Sequence, residues 1–188
     1  YRNFELNQMM KDLYFVPECY VDTNLVESLL ETDGVNHQKG CNTVVNTMKG
    51  KVLNDGFAVG IIDSDKRQPS YVKEFTEIAH SEHLSLMKHN VKPHYLVMIK
   101  PAMDQFILDC AEEQGVCMSD FSLSSDLEGF KKQTKAVDTK HDIRFKKLFK
   151  AIKHNAEIST LCCVLNYLKE QRYQSKAENL VQFFIVLK

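Results

Sequence analysis

Residues 57–65 read FAVGIIDSD. Six apolar or small residues run without a break and end on two acids one residue apart. A continuous apolar run of this length marks a strand covered on both faces, as in the parallel sheets of α/β proteins. In such sheets ligands sit at the carboxyl ends of the strands. Asp63 and Asp65 therefore fall where an α/β protein keeps its chemistry.

The flanking sequence repeats this logic. Residues 12–18 (DLYFVPE) predict a first strand that ends on Glu18. Residues 22–32 predict a helix with Leu25, Val26, Leu29 and Leu30 on its apolar side, capped by Asp22 or Thr23. Residues 41–49 predict a second helix. Residues 70–80, with Val72, Phe75 and Ile78 on one side, predict a third. Residues 84–87 are a small strand candidate and 94–99 (HYLVMI) a clear one. Pro101 opens a helix reaching about 113, with Asp104 in its first turn. The serine-rich stretch 119–129 predicts a connector. Residues 141–171 predict one long helix or a helical pair, and 175–187 leave helix and strand open. The expected fold class is α/β, an open, mainly parallel sheet flanked by helices and followed by a helical C-terminal region. The expected units are 1–118 and 119–188.

Charge is unevenly spread. Residues 1–130 carry 11 Lys or Arg against 20 Asp or Glu, and residues 131–153 carry 9 against 2. An acidic body beside a basic segment suits either phosphate binding or simple neutralisation. The basic helix expected from Ile143 places Ile143, Phe145, Leu148, Phe149 and Ile152 inward and Lys146, Lys147, Lys150 and Lys153 outward. Six cysteines without a C-x-x-C pair predict reduced thiols in a cytoplasmic protein and argue against structural zinc. No apolar stretch approaches a membrane span, and the polar start YRNFELNQMMKD is unlike a signal peptide. Phosphate-binding P-loops, dinucleotide fingerprints and serine-nucleophile elbows are absent.

Glu18, Asp63, Asp65 and Asp104 thus stand together at strand ends or just beyond them. Carboxylates gathered in one crevice repel one another unless protons or a cation intervene. Mg²⁺ is the natural cation, because it takes hard oxygen ligands and keeps several waters; Mn²⁺ is accepted by similar sites. Lys39, Lys66 and Arg67 are candidate phosphate contacts, with His37 beside them, and Lys146, Lys147 and Lys150 extend the basic surface.

Two segments carry a resemblance. Residues 18–22 read ECYVD ahead of a helix, and 60–66 read GIIDSDK. The pair resembles the two acidic motifs of Toprim domains, nearest in flavour to the primases and the overcoming-lysogenization-defect nucleases, over residues 12–110. The resemblance implies a small, mainly parallel sheet that binds Mg²⁺ and acts on phosphodiester bonds of nucleic acid. Glu18 would assist proton transfer, Asp63 and Asp65 would hold metal, and Asp104 matches a further acid of the nuclease members. Cys19 replaces the family's usual glycine, and Pro17 stands where a β-branched residue is common. These departures favour an alternative, a catalytically inactive module that docks a partner protein, a second copy or nucleic acid. A third reading makes Asp63 the phospho-acceptor of a sugar-phosphate domain, but that needs a hydroxyl residue after a later strand, where Ile-Lys-Pro stands instead.

Overall fold

The computed structural model describes residues 12–65 and 67–185. Its five strands are β1 (Phe15–Pro17), β2 (Ala58–Asp63), β3 (Phe75–His80), β4 (Leu84–His89) and β5 (His94–Ile99). They lie in the order β1-β2-β5-β4-β3. The helices are α1 (Tyr20–Leu30), α2 (Cys41–Met48), α3 (Met103–Glu113), α4 (Leu127–Thr134), α5 (Ile143–Ala151), α6 (Ala156–Gln171) and α7 (Ala177–Ile185). The architecture is an open mixed α/β sheet with a substantial C-terminal helical region.

The sheet is not mainly parallel, which corrects the sequence expectation. β1 pairs with β2 and β2 with β5 in parallel, whereas β5–β4 and β4–β3 are antiparallel. The connections explain this. Only residues 81–83 join β3 to β4 and 90–93 join β4 to β5, and a parallel crossover needs a dozen residues or more. The helix expected over 70–80 is likewise absent. A 3₁₀ turn, Ser70–Glu74, leads into β3. The spacing of Val72, Phe75 and Ile78 mimics a helical stripe, but 75–80 pairs antiparallel with β4 as the outer strand of the sheet.

Side-chain alternation sorts the core onto two faces. Val59, Ile61, Tyr95, Val97 and Ile99 pack with α1, α3 and the C-terminal helices; Ala58, Ile62 and Leu96 pack with α2, Tyr71 and Val72. The first core is continuous from Phe15 through Phe130, Phe145 and Phe149 to Phe184. Pro17 is accommodated because β1 is an outer strand with one ladder partner. The segment after α1 covers its open side: Asn36 N–H donates to Phe15 O (2.8 Å) and Gln38 N–H to Pro17 O (3.0 Å).

The region 141–171 is a helical pair, α5 and α6, and in the ambiguous stretch 175–187 residues Ala177–Ile185 form helix α7, while 186 and 187 lie outside the described residues. In α5, Phe145, Leu148 and Phe149 are buried as expected, with Ile152 just beyond, but Ile143 is 59 % exposed at the first helical position. Among the described residues no helix is long and apolar enough to cross a membrane.

Candidate functional site

The carboxyl ends of β1 and β2 meet the first turns of α1 and α3 around a crevice of about 240 Å³. Glu18, Cys19, Tyr20, His37, Lys39, Gly40, Asp63, Asp104, Thr134 and Lys135 line it. Glu18 is buried; its Oε2 accepts the Asp63 backbone N–H at 2.9 Å, fastening the end of β1 to the end of β2. Asp63 Oδ1 accepts the Met103 N–H at 2.9 Å. That N–H is the first of α3, so the positive end of the helix holds the carboxylate. Gly40 begins α2 with φ of 91°, in the region open to glycine, and its N–H reaches Glu18 O at 3.1 Å.

Asp22 is the acid the strand-end argument passed over. It lies one helical turn from Glu18, is fully buried, and its Oδ2 has no hydrogen-bond partner. Its Oδ1 accepts the Cys19 S–H at 2.7 Å. Burial pushes the Asp22 carboxyl well above the usual carboxylate range. The charges of Asp63, then of Glu18 and Asp104, push the same way, and the Cys19 bond opposes them. Burial, with the charge of Asp22 added, also pushes the Cys19 thiol well up. The spacing ECYVD, with acids four apart at a helix start, was the signal available for Asp22.

The other predicted residues scatter. Asp65 is exposed; its N–H extends the strand pairing to Pro101 O (2.9 Å), and it does not line the crevice. Arg67 is exposed and also off the crevice wall. Lys66 lies outside the described residues. Lys39 lines the crevice with its Nζ 5.7 Å from the centre of the Tyr20 ring. Lys146 lines a separate hollow with Glu27, Glu31 and Asp33, and Lys147 and Lys150 are exposed away from the crevice wall. The basic segment reaches the crevice through Lys135, just after α4, whose first three residues fall in the serine-rich stretch 119–129.

His83 meets Asp109 at 3.0 Å and His89 meets Glu74 at 3.1 Å. Among the described residues no three His, Cys, Asp or Glu side chains form a ready metal ligand set. Compared with known proteins, the chain matches no family model, no curated protein and no solved structure.

Proposed function

We propose that the crevice binds a hydrated Mg²⁺ or Mn²⁺ ion and that the protein is a Toprim-like module acting on phosphodiester bonds of nucleic acid. One observation carries the reading: the fully buried, unpartnered Oδ2 of Asp22, crowded by the charges of Asp63, Glu18 and Asp104. A buried carboxylate in that company requires a proton or a cation. Mg²⁺ is commonly held by one or two carboxylates and keeps its remaining waters for a phosphate.

Asp63 and Asp104 line the crevice and are the residues that would hold the ion, with the Asp22 carboxyl buried beside them and not itself on the crevice wall. Bound there, a divalent cation would polarise a phosphate and make its own water more acidic. The chain's part is positioning. The α3 N-terminus and the Glu18 bridge fix Asp63 and the ends of β1 and β2 before any ligand arrives. Lys39 and Lys135 bring positive charge to a crevice that would otherwise repel a polyanion. Glu18 takes the proton-transfer role.

Calorimetric titration with Mg²⁺ and Mn²⁺ tests the cation, and incubation with single- and double-stranded DNA and RNA tests the chemistry. Asp63→Asn should weaken cation binding by about tenfold or more, the loss of roughly one charged ligand contact, and Asp22→Asn should weaken it less, by removing a neighbouring negative charge. Unchanged binding heats in both variants would sink the reading. The departures at Pro17 and Cys19, on either side of Glu18, favour a second reading, a module that binds nucleic acid or a partner without cleaving. Salt-sensitive binding with intact substrate after prolonged incubation in Mg²⁺ would select it.

A further inference from the structure

His37 lies on the crevice wall, and its ring is held on two sides. Tyr20 stacks against it, centroids 4.5 Å apart and planes within 17°. At its edge, Nδ1 sits 2.8 Å from Thr23 Oγ1. The Thr23 hydroxyl lies 2.8 Å from the Cys19 carbonyl oxygen, one turn back along α1, and donates its single proton there. In the Nδ1 contact Thr23 is therefore the acceptor and the ring the donor. With Nδ1 carrying the hydrogen, a neutral ring leaves Nε2 as a bare lone pair. That Nε2 is buried and has no hydrogen-bond partner within the protein.

We propose that His37 is held in the Nδ1–H form so that Nε2 accepts a hydrogen bond from an O–H group bound in the crevice. The inference rests on the crevice being the ligand site, and it narrows what the site takes. A lone pair repels a phosphate oxygen, so His37 does not contact phosphate; Lys39 and Lys135 do. A donor hydroxyl must lie against His37 instead. Burial, then the charges of Lys140 and Lys39, hold the His37 pKa below the usual histidine value, which keeps the lone pair free of a second proton near neutral pH. A buried acceptor left without a donor is costly, so the bound ligand gains by supplying one. The donor comes from one of two sources: a water on the bound cation, or a hydroxyl of the substrate's sugar.

Two-bond ¹H–¹⁵N spectra of ¹⁵N-labelled full-length protein test this, with His37→Gln assigning the signals among the seven histidines. The free protein should show the Nδ1–H pattern at neutral pH. Thr23→Val should move it toward the Nε2–H form. In one arm Mg²⁺ is added alone; in the other, a short single-stranded RNA or the same sequence as DNA is added with Ca²⁺. An upfield Nε2 shift with Mg²⁺ alone supports the inference and assigns the donor to cation-bound water. A shift with RNA and not DNA supports it and assigns the donor to the ribose 2′-hydroxyl. An Nε2–H pattern in the free protein, or a His37 signal unmoved in both arms, overturns it. Calorimetry on the same samples separates the two readings. Mg²⁺ heat with an unmoved His37 in both arms overturns this inference alone. Absent Mg²⁺ heat overturns the cation reading, and His37 is then decided by its free-state pattern and the RNA arm.

Discussion

Asp22 sets a stability against a function. Its buried carboxylate has one thiol donor and three acidic neighbours. Asp22→Asn keeps the shape, retains an acceptor for Cys19 and puts an N–H₂ among carboxylates. The variant should unfold at higher urea, by roughly 1 kcal/mol, in the range of single stabilising substitutions, while losing cation affinity. A lower urea midpoint would contradict the strain argument. His94 gives the pH prediction. It is fully buried, with Nδ1 2.6 Å from Tyr71 Oη and Nε2 2.8 Å from Leu53 O. Burial lowers its pKa, the Leu53 carbonyl opposes that, and His89 and Lys92 lower it further. The unfolded chain binds a proton near pH 6.5, whereas the folded ring takes one only at lower pH. The stability from neutral His94 is therefore complete above about pH 6.5 and is lost as pH falls toward the depressed folded value. Urea midpoints from pH 8 to 5 should fall more steeply in wild type than in His94→Gln.

At the scale of elements, caps and close approaches decide. Asn155 begins α6 by accepting the N–H groups of Glu157 (2.9 Å) and Ile158 (3.2 Å), and its amide donates to Glu113 Oε2 at 2.7 Å. Asn155→Ala removes all three bonds at a buried site and should cost about 1–2 kcal/mol in chemical denaturation. Gly60 lets α2 lie directly on β2. A Cβ there would stand 2.7 Å from Leu96 Cδ2, 2.8 Å from Met48 Sδ and 3.0 Å from Val44 Cγ1. Leu96 and Met48 can swing aside more easily than branched Val44, so Gly60→Ala should cost about 1 kcal/mol, at the low end for overpacking. Much of this layer was legible. FAVGII marked one interior strand and HYLVMI its neighbour at the middle of the sheet, because strands buried on both faces carry continuous apolar runs. Of the hairpin over 75–89 only β4 was legible, from 84–87; β3 was not, because it is half-exposed and FTEIAH lacks such a run. The four-residue gap before β5 held the clue to its antiparallel partner. In the crevice, Glu18, Asp63, Asp104 and Lys39 were readable from strand and helix ends. Asp22 and Lys135 depend on which way a helix and a connection turn, and periodicity carries no such information across elements.

For the whole molecule, the shared core is the governing fact. Phe130, Phe145, Phe149 and Leu165, all from the second half, are buried in the same cluster as Val59 and Ile61 of the sheet. Thermal unfolding followed by near- and far-ultraviolet circular dichroism should therefore show one coincident transition. Two separated transitions would mean that the halves are stable independently. The surface is divided by polarity along the sheet. The crevice lies at the carboxyl ends of the parallel strands. The turns before β2 and β5, with Val52 and Val91 each 89 % exposed, lie at the amino ends. A thiol-reactive dye, an affinity handle or an inserted reporter peptide at Val91 would stand at the far pole from Asp22 and His37. The protein can be tethered there to a sensor surface with its crevice turned to the solution, which makes immobilised kinetics practical before any substrate is known.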